Sequence, residues 1–379
     1  MVKHSNKLSG ITAIILLLIS TQASAMNVTF INPGKPGERF WAMVTETMQA
    51  AAEDLDIELE VLYALRNRMR MTRLGIDVTA RKVPPDYLIL VNEEQAAEQI
   101  INAANQKSIH TLMLLNDFLP EQYSRIGRPG DQGSYILGAV TPDNYSTGKR
   151  MMNTLINCAK KINPDTPVHI LALGGDQLTP ASLDRNAGAI AALKAHPSIV
   201  LDRFLYADWR QEAAERLTKN YLIWAQKNHV KPTAIWSAND PIAAGARDAL
   251  LKHNIKPGQD VCLVGLNWSA QGLKMVKHGE MLATEGGHFL AGAWSMVLLQ
   301  AYHKNQQQGA NKPIGHVQIQ MQSIDKNNIN RYLSHLGNEN WGKIDFSRFS
   351  TPEQAGYDHY DFSLDAVFTN LTEKSQVAR

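Results

Sequence analysis

Polar side chains standing immediately past short apolar runs are where this chain could do chemistry. Asn239-Asp240 follows the run at 234–236, and Asn267 follows the run at 261–264. The alanine-rich stretch between them opens with Pro241 and closes with Lys256-Pro257-Gly258. That order reads as strand, loop, close-packed helix and strand, with proline suited to a first helical turn. Ligands in open α/β sheets bind at the carboxyl ends of strands, so the two asparagines mark a candidate binding edge. An amide both donates and accepts, which suits a polar, hydroxylated ligand. Catalytic chemistry has no comparable support. The patterns HExxH, GxxxxGK, GxGxxG, GxSxG and CxxC are missing, and His169, His196, His229, His253, His278 and His303 stand at scattered spacings. The reading is a binding protein, not an enzyme, with no cofactor and no metal.

Positioning those residues takes a framework of alternating strands and helices. Short apolar runs recur at 28–31, 59–62, 87–91, 111–115 and 136–140, then at 168–173, 200–206, 234–236 and 261–264. Between the first two, Val44, Met48, Ala51, Ala52 and Leu55 fall on one helical face. Such alternation predicts an α/β fold with parallel sheets covered on both sides. A chain of 379 residues that is 44% hydrophobic can fill two cores. The polar turn Thr141-Pro142-Asp143-Asn144 separates the two series of runs.

The segment 233–267 resembles type I periplasmic binding proteins of the ribose- and galactose-binding kind. In them Asn-Asp follows one strand and a V-G-[FLY]-[DN] turn follows the next, here Asn239-Asp240 and Val264-Gly265-Leu266-Asn267. Sugar-responsive repressors share this module in their effector domains, but no helix-turn-helix precedes the first strand here. The resemblance implies two Rossmann-like lobes joined by a three-stranded hinge and assembled from separated pieces. These are residues 27–142 with 289–312, and 143–288 with 313–336.

The resemblance also implies a sugar site in the cleft, where aromatic rings cover C–H faces and polar groups meet hydroxyls. Asn32 follows the first strand, and one of Phe40 and Trp41 faces the ligand, with Trp41 preferred. Asn116-Asp117 stands where relatives often carry Asp-Arg, and Asp117 serves either ligand hydroxyls or the following turn. Arg185-Asn186-Ala187-Gly188-Ala189 is similar to the family's R-x-x-G-[FA] turn. Its rigid donor fork would reach ring oxygens, unless Asp184 holds it in a surface ion pair. Trp209 would close the sandwich from the second lobe. Asn239 and Asn267 would complete the contacts there, Asp240 would cap the helix at Pro241, and His288 would sit on the hinge side. Asn267 replaces the aspartate common in aldose binders.

Lys3 and Lys7 precede the apolar stretch 11–19, and Ala23-Ser24-Ala25 closes it, the pattern of a signal peptide cleaved near Ala25. The stretch is well short of the ~20 apolar residues of a membrane span. Losing Lys3 and Lys7 takes the formal charge from +2 to zero, so neither nucleic acid nor an anionic membrane is an expected partner. Cys158 and Cys262 read as buried thiols packing as small hydrophobes, although an oxidising compartment would permit pairing. Residues 337–379 hold Trp341, Phe346, Phe349, Tyr357, Tyr360, Phe362 and Phe368, too aromatic for a solvated tail, and are expected to pack along the lobes. The expected protein is a monomeric periplasmic solute-binding protein that captures a small carbohydrate by hinge closure and delivers it to a membrane ABC permease. A second reading is a sensor subunit signalling to a membrane histidine kinase or cyclic-nucleotide enzyme, which the aromatic extension favours. A secreted hydrolase is the remote third.

Overall fold

Every one of the nine apolar runs forms a strand. The computed structural model describes residues 26–162, 164, 167–349, 357 and 360–377, with side chains to residue 371; the leader expected at 1–25 lies outside the described residues. The strands are β1 (Met26–Asn32), β2 (Ile57–Tyr63), β3 (Tyr87–Leu90), β4 (His110–Leu114), β5 (Ile136–Pro142), β6 (Val168–Gly174), β7 (Ile199–Tyr206), β8 (Ala234–Ser237), β9 (Cys262–Leu266), β10 (Ala283–Gly286), β11 (Gly315–Ile319) and β12 (Gln322–Asp325). They form two six-stranded sheets, β11-β5-β4-β3-β1-β2 and β12-β10-β9-β8-β6-β7. The β10–β12 pair is antiparallel, and the other pairings are parallel.

Period-2 geometry explains the continuous apolar runs. In β3, Leu88 and Leu90 face the helices Arg68–Thr79 and Glu98–Gln106, while Tyr87 and Ile89 join the larger core on the opposite face. A parallel strand covered on both faces has no side left for polar residues. Small residues then let helices approach closely. At Gly148 and Gly188, which bring the helices Asn144–Ile162 and Pro180–Lys194 together, an added Cβ would lie 2.0 Å from backbone oxygen of the opposite helix.

Two expectations need correction. The segment from 313 is expected in the second lobe, yet β11 pairs with β5 in the first sheet, so the third crossing falls between Ile319 and Gln322. Cys158 and Cys262 are not separate thiols but a disulfide, with Cα atoms 6.2 Å apart. The helix Asn144–Ile162 lies over the start of β9 and brings the two cysteines together across 104 residues of sequence.

Past β12, the helix Ile329–Leu336 packs on the second lobe, where Tyr332 meets Trp268 at 5.1 Å between ring centroids. The extension then crosses to the first lobe. Trp341 contacts Phe289 at 5.0 Å and donates to Glu46, and the backbone N–H of Phe346 donates to Asp54. Trp294 is flanked by Phe346, Phe349 and Phe362, the last stacked at 4.5 Å. The helix Leu364–Val377 returns toward the second lobe, with Asp365 paired to Arg331 and Phe368 against His335.

Candidate ligand-binding site

A cavity of about 120 Å³ lies between the carboxyl edges of the two sheets and takes its lining from both lobes. Its size is well below the ~300–1,000 Å³ of drug-sized sites, which suits one small solute.

On the first-lobe wall, β1 leads through Pro33-Gly34 to the helix Arg39–Asp54. Gly34 is required there because an added Cβ would sit 2.5 Å from the Trp41 indole. Both Phe40 and Trp41 line the cavity. Phe40 is the more exposed ring and stacks on His288 at 4.7 Å, while Trp41 is 3% exposed and leaves its Nε1 without a partner. Asn32 does not line the cavity. Its amide accepts from the Gly34 N–H at 2.8 Å and donates to Thr45 at 3.0 Å, holding the loop that presents the rings.

Arg66, just past β2, lies over the Trp41 ring at 5.8 Å and pairs with both Glu38 and Glu93. Burial pushes the Glu93 carboxyl from 4.5 up to about 7, against the pull of Arg66 and with help from Asp176 and Glu38. Between those values the folded chain holds a proton on Glu93 that the unfolded chain releases, so stability is lost as pH rises through the window. Glu93→Gln cannot titrate and should flatten the melting-temperature profile over this range. A profile parallel to that of the parent chain would remove Glu93 as the cause.

Arg185 anchors the second-lobe wall from the helix Pro180–Lys194. It is 3% exposed, donating to the Ala238 carbonyl at 2.6 Å and the Asn144 amide oxygen at 2.7 Å. The alternative of a surface pair with Asp184 is therefore set aside. Burial lowers its pKa to about 10, with Asp184 opposing through space. Trp209 lies 5.8 Å from the guanidinium carbon, ring centroid to atom, and donates to Asp176 at 2.6 Å. Gly175 makes room for it, since a Cβ there would meet the indole at 2.3 Å.

Asn239, not Asp240, caps the helix Asp240–Lys252. Its side chain accepts from the Ile242 N–H at 2.9 Å and it lines the cavity with its amide nitrogen still available. Asp240 turns beneath β9 instead, accepting from the Ser269 N–H and hydroxyl and from Thr284. Burial raises its carboxyl to about 6, although those hydrogen bonds pull it down. Asn267 lines the cavity from the end of β9. His288 also lines it, 4% exposed with Nδ1 unpartnered, and burial beside Arg185 holds its pKa well below the ordinary value.

The lobes touch across the cleft. Asn116 lines the cavity and accepts from the Ala181 N–H at 2.8 Å, Glu94 N–H donates to Thr179, and Gln95 donates to the Leu178 carbonyl. Asp117 faces away, accepting from the Phe118 N–H and the Tyr123 hydroxyl within its own loop, so its carboxylate serves the turn and not the cavity. Several lining residues hold positive φ: Arg66 at 60°, Leu115 at 64°, Trp209 at 61° and Asn267 at 146°. Side-chain-bearing residues in this region carry strain, which concentrates at functional sites.

Sequence reading missed Arg66 and Glu93. Both stand just past strands, β2 and β3, and the rule that singled out Asn239 and Asn267 would have found them if applied to every strand end. Among the described residues no group of three or more His, Cys, Asp or Glu could hold a metal ion, and no helix is long and apolar enough to cross a membrane.

The family model described as a periplasmic binding protein domain matches residues 28–306. The ribose import binding protein of Haemophilus influenzae is 29% identical over 283 residues, covering 73% of this chain and 86% of that protein. The galactofuranose-binding protein of Escherichia coli is 25% identical over 151 residues, 40% of this chain and 46% of its own length. A crystal structure of a periplasmic sugar-binding protein from Pseudomonas fluorescens aligns with a TM-score of 0.79 and 29% identity, covering 90% of this chain and 99% of that one. The Caulobacter myo-inositol binding protein, bound to myo-inositol, has a TM-score of 0.66 at 18% identity over 83% of this chain and 97% of its own, a likeness of fold alone.

Proposed function

The chain belongs to the type I periplasmic binding protein family, and from that premise we propose that it is the sugar-binding component of an ABC importer. The observation that carries this reading is the small cavity between two lobes, walled by Phe40, Trp41 and Trp209 and fringed by Arg185, Asn116, Asn239 and Asn267. Rings cover the C–H faces of a monosaccharide while amides and the guanidinium meet its hydroxyls.

Binding works by closure about the three crossings near Pro142, Gly287 and residues 319–322. A solute that touches both walls favours the closed state by its differential affinity for it. The bonds from Asn116 to Ala181 and from Gln95 to Leu178 then lock the seam that a membrane permease recognises. The mature protein begins near Met26 in the periplasm and works as a monomer. The aromatic extension was the argument for a sensor subunit, but its rings are engaged with its own chain, so it does not favour that reading.

A thermal-shift screen of sugars and polyols tests the proposal. At a hundredfold excess over its dissociation constant, a true ligand adds about 2.7 kcal/mol of stability. At least one clear hit is expected, and native mass spectrometry of periplasmic material should weigh the same solute. Hits confined to amino acids or peptides would overturn the carbohydrate assignment.

A further inference from the structure

We propose that the solute is a sugar acid whose carboxylate sits on the guanidinium of Arg185, an inference that rests on the sugar-binding reading above. Arg185 is 3% exposed and lines the cavity, yet it makes no ion pair with a described Asp or Glu. Its two hydrogen bonds end on neutral oxygens, and its buried Nε has no partner. Asp184 attracts it through space without touching it. A guanidinium has five N–H donors, so three remain in the planar fork that fits a carboxylate.

The other two arginines of the cavity are balanced. Arg66 lies between Glu38 and Glu93, and Arg39 between Glu46 and Glu339. On the second-lobe wall the lining beside Arg185 is uncharged, with Asn239 and Asn267 offering amides and His288 held neutral by burial, and Asn116 adds an amide from the first lobe. A charge withdrawn from water without a counter-ion is costly, and a ligand carboxylate would supply the missing partner. The Trp41 Nε1, also buried and unpartnered, can only donate and calls for a further acceptor. A phosphate dianion fits less well, because Glu38 and Glu93 line the same small cavity.

Calorimetry on the mature protein with matched pairs, D-galactose with D-galacturonate and D-ribose with D-ribonate, tests this, with D-ribose 5-phosphate as a further arm. The acid should bind at least about tenfold tighter than its neutral partner in one pair. That ratio should collapse toward one in Arg185→Gln and survive in Arg185→Lys, which keeps the charge. A neutral sugar that equals or exceeds its acid, a phosphate that exceeds both, or a ratio untouched in Arg185→Gln would overturn the inference while leaving the sugar reading intact. Binding of no pair member, alongside binding of a non-carbohydrate, would overturn both.

Discussion

A chain ended after Gly337 is expected to lose most of its folding stability. The missing segment carries Trp341 at 3% exposure, Ile344, Phe346 and Val367 at 0%, Phe368 at 5% and Leu371 at 7%. Each such side chain contributes ~1.5–3 kcal/mol on burial, so six together match or exceed the ~5–15 kcal/mol of net stability typical of a whole domain. Ordering the segment offsets part of that gain. Its removal also uncovers Phe289 and Trp294 and strips Glu46 and Asp54 of hydrogen bonds. Phe346→Ala is the milder version, expected to cost ~3–5 kcal/mol as a large-to-small change in a full core. Chemical denaturation of both variants measures this. A truncated protein that melts with the parent chain but no longer supports uptake would instead make the extension a partner interface. Bracing is the expected role, because the extension runs from the second lobe to the first and back, a fourth connection beside the hinge crossings.

The strands were legible where apolar residues dominate a short run, even in the largely exposed β7, and illegible where they do not. Short apolar runs mark β1 to β9, but β10 is Ala-Thr-Glu-Gly and β11 is Gly-His-Val-Gln-Ile, half-exposed or exposed until the buried Ile319, so neither reads as a strand. The Cys158–Cys262 pairing depends on how a helix lies over a sheet, which no local pattern encodes. At the site, residue type at a strand end was readable, whereas side-chain direction was not. Asn32 and Asp117 turn inward to satisfy their own loops, and Asn239 takes the cap expected of Asp240 while Asp240 turns beneath β9. Asp240 is drawn there by Ser269 and Thr284, far away in sequence. Arg66 stands past a strand end, where the same rule applies, but it reaches the cavity from a left-handed turn that leucine and arginine rarely occupy, so its side-chain direction was not readable.

Replacing Arg185 with alanine is expected to weaken ligand binding by ~1–3 kcal/mol, the range for losing hydrogen bonds to a buried group. The upper end is favoured because the donor is charged and because the same guanidinium fixes the Ala238 carbonyl and Asn144 beside the cavity. Trp209→Ala should separate binding from folding more cleanly. Its ring is only half-buried, and residues 208 and 209 hold φ of 48° and 61°, so the loop is strained in the parent chain. Removing the indole takes a wall from the cavity while deleting little core, and affinity should fall further than in Asp208→Ala, whose exposed side chain lies outside the cavity lining. Calorimetry with the ligand found by the thermal screen compares the three variants directly. If Arg185→Ala and Trp209→Ala both bind as the parent does, the solute sits elsewhere. The contact between guanidinium and indole, 5.8 Å from atom to ring centroid, would then be no more than packing between a helix and a loop.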